Sequence, residues 1–300
     1  MIEGNPALMN LRILQAISSG AGNARLLTPD GHTSAVLAFT VMGVVNVTPD
    51  SFSDGGLFLD PRAAVEHGLR LREDGAGILD VGGESTRPGA EPVPEQEELE
   101  RVLPVVEGLA AAGGRVSIDT TKLGVARAAI RAGATVVNDV SAFRFAPEMA
   151  GLVASEGVQC CLMHMLGEPR TMQADPRYED VVGEVKAFLE ERLAFATGEG
   201  VPEERVWLDP GIGFGKTVEH NLELLRRLDE IVAIGRPVVV GTSRKSFLGK
   251  LTGGRAEDER LPGTIATNVL ALERGASVFR VHDVAQVADA LRVAAATVAP

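Results

Sequence analysis

The sequence predicts an α/β protein, a single-domain (β/α)8 barrel of the TIM type with an N-terminal extension, on three observations. Short apolar runs alternate with stretches of helical period from Ala38 onward, which is the signature of βαβ units. A polar residue stands just after almost every run, at Asn46, Arg87, Asp119, Asn138, Asp209, Lys245, Arg280 and His282. The 300 residues, 45% of them hydrophobic, suffice for one such barrel, which takes about 250 residues. Barrels of this kind pack their strands into a core and place functional groups where strands end and loops begin. The positions of the polar residues therefore carry as much information as their identities.

Residues 1–37 have weak periodicity and Gly/Pro/Asn punctuation, and are expected to form an extension covering the barrel bottom or a subunit surface; 38–300 form the barrel. The expected strands are 38–45, 77–81, 115–118, 135–137, 158–163, 206–208, 237–240 and 277–281. Amphipathic stretches at 63–74, 97–112, 122–132, 178–197, 218–231, 263–274 and 284–296 are the helices between them, with a shorter helix at 147–155. Gly75, Gly133, Gly157 and Gly275 stand where a left-handed C-terminal cap is wanted.

The composition narrows the function classes. A formal charge of −12 argues against nucleic acid as a bulk partner, because phosphate backbones need a basic surface. A local basic cluster could still hold a small anion. Cys160 and Cys161 are adjacent inside an apolar run, where a bridge would be strained and would staple nothing, so they read as reduced core residues. Neither a signal-like start nor an apolar run of about 18 residues is visible, so a cytoplasmic protein without membrane association is expected.

Two long βα loops follow the first two strands, and such loops in a compact barrel are usually lids or binding loops. The first, 46–56, combines the Asn46 amide with Asp50, Asp54 and hydroxyls. That oxygen set suits Mg²⁺ shared with substrate phosphates, and equally suits a turn with solvated acids. The second, 82–90, carries Arg87, a bidentate partner for phosphate or carboxylate, or else a surface ion pair. Asp209-Pro210-Gly211-Ile212-Gly213-Phe214-Gly215-Lys216 has only three residues between Gly211 and Gly215, so it is not a Walker phosphate loop, which needs four. It reads as a Gly-rich loop displaying Phe214 beside Asp209.

Thr242-Ser243-Arg244-Lys245-Ser246 follows the seventh strand and opens a helix, whose N-terminus could meet an anion at Ser246. Arg280 and His282, two apart on the eighth strand, point to one side; His282 alone is equally compatible with a structural role, and His164 reads as structural. Asp119 and Asp209 are carboxylates at a barrel mouth, where an unpaired buried acid is costly. With Asn138 they suit a heterocycle bearing an amino-pyrimidinone edge, whose N–H groups donate to carboxylates.

Eight motifs in one order, Asn46-Val47-Thr48-Pro49-Asp50-Ser51-Phe52-Ser53-Asp54-Gly55, Gly82-Gly83-Glu84-Ser85-Thr86-Arg87-Pro88-Gly89, Ser117-Ile118-Asp119-Thr120, Val137-Asn138-Asp139, Met163-His164-Met165, Asp209 to Lys216, Ser243-Arg244-Lys245-Ser246 and Arg280-Val281-His282-Asp283, closely resemble the dihydropteroate synthase family. The resemblance implies a transferase of folate biosynthesis that joins 6-hydroxymethyl-7,8-dihydropterin diphosphate to p-aminobenzoate. It implies that Asp119, Asn138, Met163, Asp209 and Lys245 hold the pterin, and that Asn46, Arg87, Arg280 and His282 hold the diphosphate. Asn46 and Asp50 would coordinate Mg²⁺. The aryl amine would lie among Phe52, Thr86, Pro88 and Phe214 with its carboxylate on Ser246, while Asp50, Asp54 and Lys245 would serve the chemistry. The family further implies a homodimer through late helices, for which Val287, Leu291, Ala294 and Val298 offer an apolar face, although the same spacing suits packing on the barrel. It also implies competition by sulfonamides.

Two rivals share the pterin pocket: a methyltransferase passing a methyl group from a reduced folate to a corrinoid partner, and a silent pterin-binding paralogue. Neither needs the whole set of Asp50, Asp54, Arg87, Arg280 and His282 that this chain retains. Thr121 and Ala142-Phe143-Arg144 depart from the family pattern at positions without an implied role.

Overall fold

The computed structural model describes residues 24–27, 33–48, 60–87 and 89–298. Eight parallel strands form the barrel: β1 (Thr40–Asn46), β2 (Ile78–Gly82), β3 (Val116–Asp119), β4 (Ala134–Asp139), β5 (Gln159–Met163), β6 (Val206–Asp209), β7 (Val239–Val240) and β8 (Val278–Val281). Each pairs with its sequence neighbour from β1 to β6, and β8 pairs with both β1 and β7. A parallel bridge between Leu208 and Val238 closes the ring. Between the strands run α1 (Pro61–Glu73), α2 (Glu95–Ala111), α3 (Leu123–Arg131), α4 (Met149–Glu156), α5 (Val181–Gly198), α6 (Val218–Arg226), α7 (Leu228–Val232), α8 (Ser246–Leu251) and α9 (Leu261–Glu273), and α10 (Val284–Val298) follows β8. These helices cover the outside of the sheet, so most strand residues are buried on both faces and the strands read as near-continuous apolar runs.

Register sets what the interior holds. Met42, Ile78, Val136, Cys161, Trp207, Val239 and Val278 form one apolar cluster inside the barrel, each fully buried aliphatic contributing about 1.5–3 kcal/mol relative to exposure. Two residues further along, the same inward face turns polar: Asp80 follows Ile78, Asn138 follows Val136, Asp209 follows Trp207 and Arg280 follows Val278. The apolar floor thus carries a charged layer toward the C-terminal mouth.

The expected boundaries shift where local chemistry intervenes. The seventh strand starts at Val239 rather than at 237, because Pro237 has no N–H for a ladder; its carbonyl accepts from Leu208 N at 2.9 Å instead. The helix expected over 218–231 breaks at Arg227 (φ −109°, ψ 31°), whose guanidinium binds Asp180, Glu223 and Glu230. The glycines at 75, 133, 157 and 275 all have positive φ. Val287 and Leu291 are fully buried and Ala294 nearly so, so these three pack on the barrel; Val298 is 41% exposed. Cys160 and Cys161 are free and buried.

Within 1–37, Ala24–Leu27 and Thr33–Val36 pair as an antiparallel hairpin, the second strand running beside α10. Most of the remaining extension lies outside the described residues. No helix among the described residues is long and apolar enough to cross a membrane.

Candidate active site

The strand ends converge on one cavity at the C-terminal mouth. Asp119 closes β3, Met163 closes β5 and Asp209 closes β6; Asn138 is registered beside Asp119, and Met163 beside Asp209. With Arg280, His282, Lys245, Thr86 and Phe214 they line one cleft open to solvent.

Charge in this layer is dense. Arg280 donates through Nε to Asp80 Oδ2 at 2.6 Å and through Nη2 to Asp119 Oδ2 at 2.8 Å. Asn138 donates through Nδ2 to the same Asp80 oxygen at 3.1 Å. Burial pushes the Asp119 carboxyl up to about 7 against the opposing pull of Arg280. Burial likewise pushes Asp209 up to about 6, opposed by the backbone N–H of Gly211. Lys245 is driven down to about 7 by burial, with Asp209 resisting. Burial also acts to lower Arg280, but Asp80 and Asp119 more than offset it and keep the guanidinium charged. His282 is held well below its ordinary value by burial and by Arg280. The mouth therefore combines carboxylates that can accept from N–H donors with cationic or neutral donors beside them.

The Gly-rich loop after β6 is tied down peptide by peptide. Gly211 N donates to Asp209 Oδ1 at 2.7 Å and Gly213 N to Asn221 Oδ1 at 2.7 Å; Tyr178 Oη donates to the Gly215 carbonyl at 2.9 Å. Gly211 has φ +67°, and a Cβ there would lie 1.8 Å from the His164 carbonyl oxygen, so only glycine fits. The buried Lys216 donates to His164 Nδ1 at 2.9 Å and to the Phe214 carbonyl at 3.0 Å. Phe214 is thereby presented with its ring centre 3.9 Å from Lys245 Nζ, a cation–π contact.

The segment after β7 is equally fixed. The Thr242 hydroxyl oxygen accepts from Thr267 and Asn268. Ser243 Oγ accepts from the His282 backbone N–H at 3.1 Å and lies 3.0 Å from His282 Nδ1. Arg244, at φ +58°, makes a two-point contact with Asp283 at 2.6 and 3.0 Å.

Asp119, Asn138, Met163, Asp209, Lys245, Arg280, His282, Thr86 and Phe214 are thus brought together. Arg87 lies apart from the cavity lining: its side chain is 50% exposed and pairs with Glu257 at 2.7 Å. Asn46 ends β1 on the inward register shared with Gly82 and Asp119. Ser246 is exposed at the first position of α8. Asp50, Phe52, Asp54 and Pro88 lie outside the described residues. Sequence reasoning missed Asp80 and Ser243, which hold Arg280, Asn138 and His282 in place. A carboxylate at an inward position of the apolar run Ile78-Leu79-Asp80-Val81 was the available signal for Asp80, since such a group demands a counter-ion.

Residues 42–282 match the pterin binding enzyme family. The chain is 50% identical over 263 residues to the dihydropteroate synthase of Mycobacterium leprae, covering 85% of this chain and 92% of that one. Its structure is similar to that of the Yersinia pestis dihydropteroate synthase solved with a sulfonamide drug complex, with a TM-score of 0.84, 41% identity and coverage of 91% and 98% of the two chains. It is similar also to the Xanthomonas albilineans dihydropteroate synthase solved with 4-aminobenzoic acid, with a TM-score of 0.81, 48% identity and coverage of 91% and 97%.

Proposed function

The chain belongs to the pterin binding enzyme family, among its dihydropteroate synthases, and from that premise we propose how its mouth divides the reaction. The enzyme is a transferase that condenses 6-hydroxymethyl-7,8-dihydropterin diphosphate with p-aminobenzoate, giving 7,8-dihydropteroate and pyrophosphate. The observation that carries the assignment of roles is the single cavity in which Asp119, Asn138 and Asp209 face Lys245, Arg280 and His282.

Asp119 and Asp209 accept from the N–H groups of the pterin, Asn138 completes its polar edge, and Met163 packs against its ring. Lys245 donates to the ring from the opposite side. Arg280 and His282, joined by Arg87 and Asn46, take the diphosphate. With that charge taken up, the C–O bond breaks ahead of attack and its electron pair leaves with pyrophosphate. The resonance-stabilised pterin cation is offset by Asp50 or Asp54. The amine nitrogen then bonds to the methylene carbon and loses a proton to solvent, a step that needs mainly positioning. Phe52, Thr86, Pro88 and Phe214 supply that positioning, with Ser246 receiving the carboxylate.

The donor set fits Mg²⁺, which takes one or two protein oxygens alongside substrate phosphates and water. Asn46 on the inward register of β1, with Asp50, would hold it. Bound there, the ion would neutralise charge on the leaving diphosphate.

The enzyme works in the cytoplasm as a homodimer. Supporting this, Leu270, Val293 and Val298 are 44%, 69% and 41% exposed on α9 and α10, beside an open apolar trough that includes Val269, Ala290 and Ala294. The free thiols of Cys160 and Cys161 suit a reducing compartment.

Chromatography of the products formed from the two substrates tests the assignment. Dihydropteroate is the expected product, absent from an Asp119→Asn, Asp209→Asn double variant; equal product from that variant would sink the proposed roles.

A further inference from the structure

Asp80 lies one layer below the mouth, registered with Ser117, while Asp119 is registered with Gly82 above it. The side chain is fully buried and contributes nothing to the cavity lining. Its Oδ2 accepts from both Arg280 and Asn138, and its buried Oδ1 has no partner among the described residues. A buried acceptor left unpartnered costs stability, so Asp80 is a poor choice for packing alone. Asp119, by contrast, lines the cavity and shares the same guanidinium through Nη2. One arginine therefore bridges two carboxylates, one sealed and one open to ligand.

The two substrate contacts make competing demands on this bridge. The pterin N–H donors draw on Asp119, whose Oδ2 already accepts from Arg280 Nη2, and the diphosphate draws on that same Nη2. Both are met when Nη2 moves from Asp119 to the diphosphate. During that exchange a guanidinium, which stays charged in proteins, must not lose its buried counter-charge.

We propose that Asp80 is the fixed counter-ion and positioning residue of Arg280, anchoring it through Nε while Nη2 passes from Asp119 to the diphosphate and Asp119 is released to the pterin. This rests on the mouth being the pterin diphosphate site. By accepting from Asn138 Nδ2, Asp80 also fixes which end of that amide faces away from it, toward the ligand. The negative charge of Asp80 helps Asp119 retain its proton, so the sealed carboxylate also tunes the open one.

The test is Asp80→Asn, which keeps the shape and an acceptor for Nε but removes the charge. The KM for pterin diphosphate should rise about 30-fold while that for p-aminobenzoate stays within about twofold. The acid limb of kcat/KM for the pterin should move to lower pH, because Asp119 then gives up its proton more easily. An unchanged pterin KM in an otherwise active enzyme overturns the inference, as does a uniform loss in both KM values with an unmoved acid limb. If the wild-type protein makes no dihydropteroate, the underlying assignment fails instead. A thermal cycle covers a poorly folded single variant: Asp80→Asn, Arg280→Gln together should melt above Asp80→Asn alone, and additive losses overturn the inference.

Discussion

Lys216 donates through Nζ to Nδ1 of His164 at 2.9 Å, and both side chains are buried. Burial pushes His164 down to about 2, so its ring is neutral and Nδ1 is free to accept. Lys216 makes its second bond to the Phe214 carbonyl, and so connects the end of β5 to the loop that presents Phe214. A sequence scan sees this lysine only as the last letter of a failed phosphate-loop pattern.

Lys216→Met removes both bonds and leaves buried acceptors behind. The KM for p-aminobenzoate should rise about tenfold and stability should fall by about 1–3 kcal/mol, measured by steady-state kinetics and urea unfolding. Burial lowers Lys216 from 10.5 to about 7. Between those values the unfolded chain holds a proton that the folded one lacks, so this group makes stability rise with pH across that window. The stability gap between wild type and Lys216→Met should therefore change with pH between about 7 and 10.5. A gap independent of pH would contradict it.

Asp119 and Asp209 titrate upward, to about 7 and about 6. Each must be ionised to accept from a pterin N–H, so pterin affinity should be present above those values and lost as pH falls through them. The KM for pterin diphosphate should climb about tenfold per pH unit between pH 7 and 6 and toward about a hundredfold per unit below pH 6, with the p-aminobenzoate KM much flatter. Asp119→Asn should lower kcat/KM by about 1,000-fold, because a second donor then opposes the ligand N–H.

Phe214 supports Lys245 as well as the amine pocket. Phe214→Leu should raise the KM for p-aminobenzoate severalfold and that for the pterin by about twofold to tenfold through loss of the cation–π contact. A change confined to the amine would show that the Lys245 contact carries no weight.

Ala142 and Phe143 are buried with φ +53° and +64°, held there by Asp139, which accepts from Ser141 N at 2.7 Å and Phe143 N at 3.1 Å. Ala142→Gly relieves one strained backbone and should stabilise the enzyme by about 0.5–1 kcal/mol, raising Tm by about 1–4 °C with activity unchanged. A lower Tm would refute the strain.

Removal of Mg²⁺ with a chelator should reduce kcat by about 100-fold or more and be reversed by adding the ion back. Unaltered turnover would remove Asn46 and Asp50 from metal binding.

Much of this layout was legible from sequence because a parallel barrel writes itself as apolar runs with polar terminators. Asp119, Asn138, Asp209 and Arg280 fall at or near the end of their runs, and the ladder register makes neighbours of Asp119 and Asn138. Asp80 was hidden because it sits inside a run and gains its meaning from Arg280, 200 residues away in sequence. The break at Arg227 was hidden for a similar reason, since one of its partners, Asp180, lies 47 residues distant. Local pattern reports which residues face inward, but not which distant charges they meet.

This mouth cleaves a pterin diphosphate and hands the pterin to an aryl amine. Pyrophosphate release by the purified protein, given pterin diphosphate and Mg²⁺ with and without p-aminobenzoate, tests it most directly. Release matched one-to-one by dihydropteroate when the amine is present is the predicted result. A protein that binds the pterin yet releases no pyrophosphate under either condition would contradict it.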